Sequence, residues 1–174
     1  MSDWVIQQAG LALGSRFRRL SDQLSGEVRI VYKKLKIDFN PTHFPVLSLL
    51  YEHIHTGMSI SEIATELNIS HVSVSQTIKE LEKQGYCTRI PHKSDDRILL
   101  IFLTKKSEIL LKNQLLTIWK IIKRVTELRV AEIQGDFWQV IAQAEEKLSR
   151  YSLSQEILEE IKNCKSLVYN PSRH

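Results

Sequence analysis

From residue 3 to 35 apolar side chains recur every three or four positions, at Leu13, Phe17, Leu20, Leu24, Val28 and Val31, with arginines between them. That spacing predicts one long amphipathic helix, weakened locally by Gly26. Asn40-Pro41 and Pro45 then punctuate the chain, because a proline biases the residue before it away from helical torsions. A short helix through Leu47, Leu50 and Ile54 is expected next, closed by Gly57. In the run from Ser59 to Glu62, Ser59 can cap the free backbone donors of a new helix while Glu62 reaches back to close a capping box. The stripe of that helix is Ile60, Ile63, Ala64 and Leu67, and Asn68 after it tolerates the left-handed backbone of a tight turn. Ser70 caps a second helix, striped by Val74, Ile78 and Leu81 and ended by Gly85.

Residues 86–90 and 98–103 are rich in β-branched and aromatic side chains, and the polar stretch between them predicts a β-hairpin. Thr104 can cap a last long helix, apolar at Leu111, Leu115, Ile118, Ile122, Val125 and Ile133 and broken at Gly135-Asp136. Two shorter helices, near 137–150 and 154–164, follow, and the tail from Asn170 to His174 is expected to fray.

A short helix, a three-residue turn, a capped second helix and a hairpin, in that order, describe a helix-turn-helix followed by a wing. The fold class is therefore mainly α with a small β-hairpin, a winged helix-turn-helix core with helices on both sides. With Val74, Ile78 and Leu81 turned inward at 100° per residue, Val72, Gln76, Lys79 and Lys83 point outward, flanked by Ser73 and Ser75. In a DNA major groove Gln76 can bond adenine, Val72 can touch a thymine methyl, and the hydroxyls can serve bases or phosphates. Ser70 and His71 open the same helix. On the wing, Arg89, Lys93 and Arg97 can reach phosphates or a narrow minor groove, with Asp96 suited to hold an arginine in place. A generic helical hairpin with a solvated outer face is the plainer alternative for the same residues.

The chain has 174 residues and a formal charge of +4, from 24 Lys and Arg against 20 Asp and Glu. Residues 57–104, however, hold five cations and six anions, so any DNA binding must depend on which face the cations occupy. Cys87 and Cys164 form no CxxC pair and no secretory signal is visible, so a reducing, cytoplasmic setting is expected. No apolar run approaches the roughly 18 residues needed to span a bilayer, so no membrane partner is expected. No nucleophile, base and orienting group share a recognisable spacing and no phosphate-binding glycine loop occurs, so neither an enzyme nor a cofactor is expected.

The runs Ile63-Ala64-x-x-Leu67-Asn68-Ile69-Ser70, Val74-Ser75-Gln76-x-Ile78-x-x-Leu81-Glu82-x-x-Gly85-Tyr86, Asp96-Arg97 and Leu103-Thr104 together resemble the MarR family. The resemblance implies a homodimeric winged helix-turn-helix transcription factor, with Ser73 and Ser75 as DNA contacts and an aspartate-arginine pair, Asp96 and Arg97, in the wing. Gln76 stands where the family commonly carries arginine. The implied organisation is an N-terminal dimerisation helix at 1–36, a winged DNA-binding domain at 37–104 and a C-terminal helical dimerisation region at 105–174. Apolar residues in the terminal segments, including Trp4, Trp119, Phe137 and Trp138, suit such an interface.

The same resemblance implies a small effector, often aromatic and anionic, for which Tyr32, His43, Phe44 and Tyr51 are the chemically suitable residues, each also suited to plain packing. His43, His53 and His55 lack a Cys or acidic residue at zinc-like spacing, so no metal site is expected. Cys87 suits either a redox switch or a small buried hydrophobe. The expected function is a sequence-specific DNA-binding repressor acting as a homodimer on double-stranded DNA at a near-palindromic operator. The alternative is a winged-helix interaction module that does not read DNA.

Overall fold

In the computed structural model the structure describes residues 4–92, 94–150 and 152–163. Lys93, Cys164 and the tail from Asn170 to His174 therefore lie outside the described residues, as does the side chain of Asp96.

The described residues fall into two compact units that divide between Ile122 and Lys123. The first opens with α1 (Trp4–Gln7), a 3₁₀ turn (Ala9–Ala12) and α2 (Leu13–Lys34). The single long N-terminal helix expected from periodicity is thus two pieces, parted where Ala9 takes a positive φ of 45° that an α-helix cannot contain. Gly26 sits inside α2 without breaking it. Asn40 accepts from the Thr42 backbone N–H and starts a 3₁₀ turn (Pro41–His43) that leads into α3 (Phe44–Glu52), so Ile54 lies beyond that helix.

Gly57 has φ +65°, and a Cβ there would stand 2.6 Å from the Phe102 ring, so the position demands both the backbone freedom and the absent side chain of glycine. Strand β1 (Met58–Ser59) follows, then α4 (Ile60–Glu66) and α5 (His71–Lys83). The capping box is formed: Ser59 accepts from the Glu62 N–H at 3.2 Å, and the Ser59 N–H donates to the Glu62 carboxylate at 2.7 Å. Those bonds hold the Glu62 carboxyl below the usual glutamate range. Asn68 turns the chain with φ 50°, and Ser70 caps α5 by accepting from the Ser73 N–H at 3.1 Å.

The wing consists of β2 (Cys87–His92) and β3 (Asp95–Leu103), antiparallel, with β1 on the other side of β3. Both strands run further towards the tip than their apolar runs suggested, and the hairpin turns between His92 and Asp95. Pro91 is tolerated because β2 is an edge strand, and the register shifts beside it.

Thr104 caps α6 (Lys105–Leu110), accepting from the Ser107 N–H while its hydroxyl donates to the Gly85 carbonyl at 2.7 Å. One wide π turn (Leu111–Leu115) then precedes α7 (Leu116–Val130). A single apolar core joins Tyr32 of α2, Leu47 and Leu50 of α3, Ile63 of α4, Val74, Ile78 and Leu81 of α5, Ile101 of β3, and Leu111 and Leu115 of the π turn. The C-terminal half of α2 is therefore built into the same core as the winged segment.

The second unit holds α8 (Phe137–Arg150), capped by Asp136 through the Gln139 N–H, and α9 (Leu153–Asn163). α7 stops at Val130, before the expected break at Gly135-Asp136. Trp138, Val140 and Leu148 of α8 and Leu153, Ile157 and Leu158 of α9 are exposed. Among the described residues no helix is long and apolar enough to cross a membrane.

Candidate nucleic-acid interface

The body of the protein grips α5 through Val74, Ile78 and Leu81, all fully buried. The helical repeat then sends Val72, Gln76, Lys79 and Lys83 to the opposite side. All four are exposed there, Val72 to 67%, an unusual state for a β-branched residue flanked by polar ones. At the start of the helix, His71 and Ser73 are exposed, and the Ser70 and Ser73 hydroxyls lie 2.8 Å apart in one hydrogen bond. Ser75 is half-buried on the flank.

Two carboxylates on α5, Glu80 and Glu82, flank this edge, and each is tied to another element. The Arg89 guanidinium on β2 donates to Glu82 through Nε at 2.8 Å and Nη2 at 2.9 Å, a bidentate pair that is mostly shielded from water. Arg89, expected to reach DNA from the wing, ties wing to helix through this pair. On the other flank His43 Nε2 lies 3.0 Å from a Glu80 carboxylate oxygen.

Arg97 projects from β3 with its side chain 91% exposed. It is paired with Asp95, whose carboxylate accepts from Nε at 2.9 Å and Nη2 at 3.0 Å. Residues two apart on a strand share a face, which brings this pair together; the Asp96 side chain, expected to pair with an arginine, lies outside the described residues. The pairing holds the Asp95 carboxyl below its usual range. At the tip, the Ser94 backbone N–H donates to His92 Nδ1 at 3.3 Å.

Of the four residues considered for an effector, three meet in one aromatic cluster. Phe39 lies 6.2 Å, centre to centre, from both Tyr32 and His43, and Phe44 stacks edge-on against Trp119 at 4.7 Å. Tyr51 packs against the core elsewhere. An open cleft of about 480 Å³ runs past Tyr32, lined also by Arg29, Lys33, Lys36, Asp38, Phe39 and Gln84, three cations against one carboxylate. Among the described residues none of these three cations pairs with a carboxylate. His53 donates to the Leu49 carbonyl and His43 faces Glu80, and the described residues contain no group of three His, Cys, Asp or Glu placed to hold a metal. Cys87 is buried with its thiol against the Ile78 carbonyl, and burial pushes its pKa up to about 12, the behaviour of a small core residue rather than a reactive thiolate.

Two packed helices joined by a left-handed turn, followed by a three-stranded sheet whose hairpin projects as a wing, make this a winged helix-turn-helix. Residues 39–99 match the MarR family model. A stretch of 86 residues is 29% identical to the organic hydroperoxide resistance transcriptional regulator of Bacillus subtilis (strain 168), taking in 49% of this chain and 58% of that relative.

Among solved structures the fold is similar to the S. aureus MepR–DNA complex, with TM-score 0.62 and 21% identity over 80% of this chain and 98% of that one. It is also similar to the regulator BldR from Sulfolobus solfataricus, with TM-score 0.58 and 17% identity over 86% and 100% of the two chains. The repressor CouR bound to a 23-mer DNA duplex gives TM-score 0.58 and 23% identity over 86% and 98%. At these identities the likeness is one of fold.

Proposed function

We propose that the protein is a MarR-type transcriptional regulator, a homodimeric, cytoplasmic repressor that binds a near-palindromic operator and is tuned by a small anionic effector. The observation that carries this reading is the outer edge of α5, where Val72 and Gln76 stand free of the body beside exposed Lys79 and Lys83, neither of which pairs with a carboxylate among the described residues. Gln76 offers an amide fork for adenine, Val72 a methyl surface for thymine, and the Ser70, Ser73 and Ser75 hydroxyls serve phosphates or base edges. His71 joins them at the helix start, Arg97 reaches for the backbone from the wing, and Lys93, outside the described residues, would add a further phosphate contact. Two similar folds, MepR and CouR, are described in complex with DNA.

Dimerisation supplies what the local charge does not, because two α5 edges and two wings double the phosphate contacts. Leu13, Phe17, Leu20 and Leu24 form an exposed stripe along α2, which a second copy of the chain would cover. For the effector, the basic cleft beside Tyr32 and the Phe39 cluster holding His43 and Phe44 offer cations next to aromatic rings.

Selection of bound fragments from random duplex, followed by titration at several salt concentrations, tests the proposal. A saturable complex on a two-fold site with half-sites about one helical turn apart is expected. Equal competition by random duplex at moderate salt would defeat the sequence-specific part. The competing interaction-module reading draws on the pairing of Arg89 and Arg97 with carboxylates, and it predicts no footprint on any genomic fragment.

A further inference from the structure

On α5, at 100° per residue, Glu80 and Glu82 fall about 80° to either side of Val72, so they bracket the edge formed by Val72, Gln76 and Lys83. A carboxylate in either place would repel DNA phosphates if left free. Arg89 neutralises Glu82 with a permanent charge. Glu80 is bound instead by an imidazole, and that contact is unlike an ordinary surface pair: Glu80 is 61% exposed while the His43 ring that holds it is 6% exposed.

From these two tethers we infer that His43 is a positioning residue for DNA reading, acting through Glu80 to fix the rotation of α5 on one flank as Arg89 does on the other, with a strength that depends on its protonation. The inference rests on the regulator reading above.

The geometry assigns the proton. An oxygen 3.0 Å from Nε2 requires the hydrogen to sit on Nε2, so Nε2–H donates to Glu80. Nδ1 is buried and has no hydrogen-bond partner among the described residues. The neutral ring therefore leaves a lone pair unmet, whereas the charged ring would bury an N–H with no acceptor.

Burial accordingly holds the imidazole below its ordinary value, with Glu80 pulling the other way. Among the described residues, Glu80 from α5 is the charged group that faces His43. From its own turn comes the uncharged Asn40 amide, 3.4 Å from Nε2, and from the preceding loop comes the Phe39 ring. Tyr32 and Tyr86 pack against Phe39, and burial raises the pKa of both.

When DNA phosphates approach α5, their potential favours the charged imidazole, so binding takes up a proton and tightens as pH falls. His71 and His92 contribute a pH response of their own, so the test compares variants that all retain them. Operator and a duplex altered at the base pair read by Gln76 are titrated at about pH 8 and 6 with wild type, Glu80→Gln, Glu80→Ala and His43→Gln.

Glu80→Gln keeps an acceptor for Nε2–H, and Glu80→Ala removes it from an exposed site that does not endanger the fold. Wild type is expected to gain about threefold more affinity than the three variants as pH falls. Discrimination between the duplexes should drop about fivefold in Glu80→Ala and survive in Glu80→Gln.

Parallel pH profiles in all four proteins would overturn the inference. So would a Glu80→Ala protein that binds every duplex more tightly with discrimination unchanged, since that is charge removal alone. A wild-type protein that discriminates no duplex overturns the regulator reading itself, and does so before any variant is compared.

Discussion

The indole Nε1–H of Trp119 donates to the Tyr32 hydroxyl at 2.8 Å, joining α7 to α2 across the edge of the core. Trp119 also carries Phe44 and lies 6.5 Å from Phe39, so this one bond anchors the aromatic cluster from which His43 reaches α5. Tyr32→Phe keeps the ring and removes the acceptor, leaving a partly buried N–H unpaired. A loss of about 1–2 kcal/mol in urea unfolding is expected, and an unchanged midpoint would show that water replaces the hydroxyl.

Burial raises the pKa of both Tyr32 and Tyr86. The unfolded chain then loses these protons first, so their contribution is complete below the ordinary tyrosine range and declines as pH climbs through it. Unfolding midpoints should fall on the alkaline side, and Tyr32→Phe should flatten that fall.

The capping box carries the opposite sign. Glu62 is held below its usual range, so its stabilisation is present at neutral pH and disappears as acid protonates the carboxylate. Ser59→Ala should cost about 1 kcal/mol, and Glu62→Gln should flatten the acid limb of a stability profile.

Gln76→Ala should relax preference at one base pair for about 1–3 kcal/mol, leaving other positions as they were. Arg97→Ala should weaken all duplexes alike and reduce the salt slope by about one. Equal effects of the two substitutions on every duplex would erase the distinction between a reading helix and a positioning wing.

Gly57→Ala must place a methyl against the Phe102 ring at an unfavourable φ. About 2 kcal/mol or more should be lost, visible in the thermal midpoint. In a Cys164→Ser background, the Cys87 thiol should resist alkylation at neutral pH until the protein unfolds. Rapid labelling of the native state would contradict its burial.

What the sequence displayed plainly was local. Ser59 with Glu62, Asn68 and Ser70 each act within a few residues, so their spacing alone marked the two helices, and Val74, Ile78 and Leu81 oriented α5. β1 escaped because a two-residue strand has no alternation to read and its partners, Ile101 and Leu100, lie far along the chain. The pairings of Arg89 and His43 escaped for the same reason: Glu82 and Glu80 become their partners only after helix, wing and turn have packed. Three of the effector candidates drew together around Phe39 and Trp119 while Tyr51 did not, a distinction that four aromatic letters do not contain.

The π turn at Leu111–Leu115 holds one residue more than the α-helical turn it replaces. That surplus is separable from everything after it. Deleting a single solvent-facing residue such as Asn113 would let the segment rewind to ordinary pitch while Trp119 kept its alignment with Tyr32. The chain thus carries a built-in spare at the junction leading out of its winged segment, a place where length can change by one without re-phasing the helix beyond.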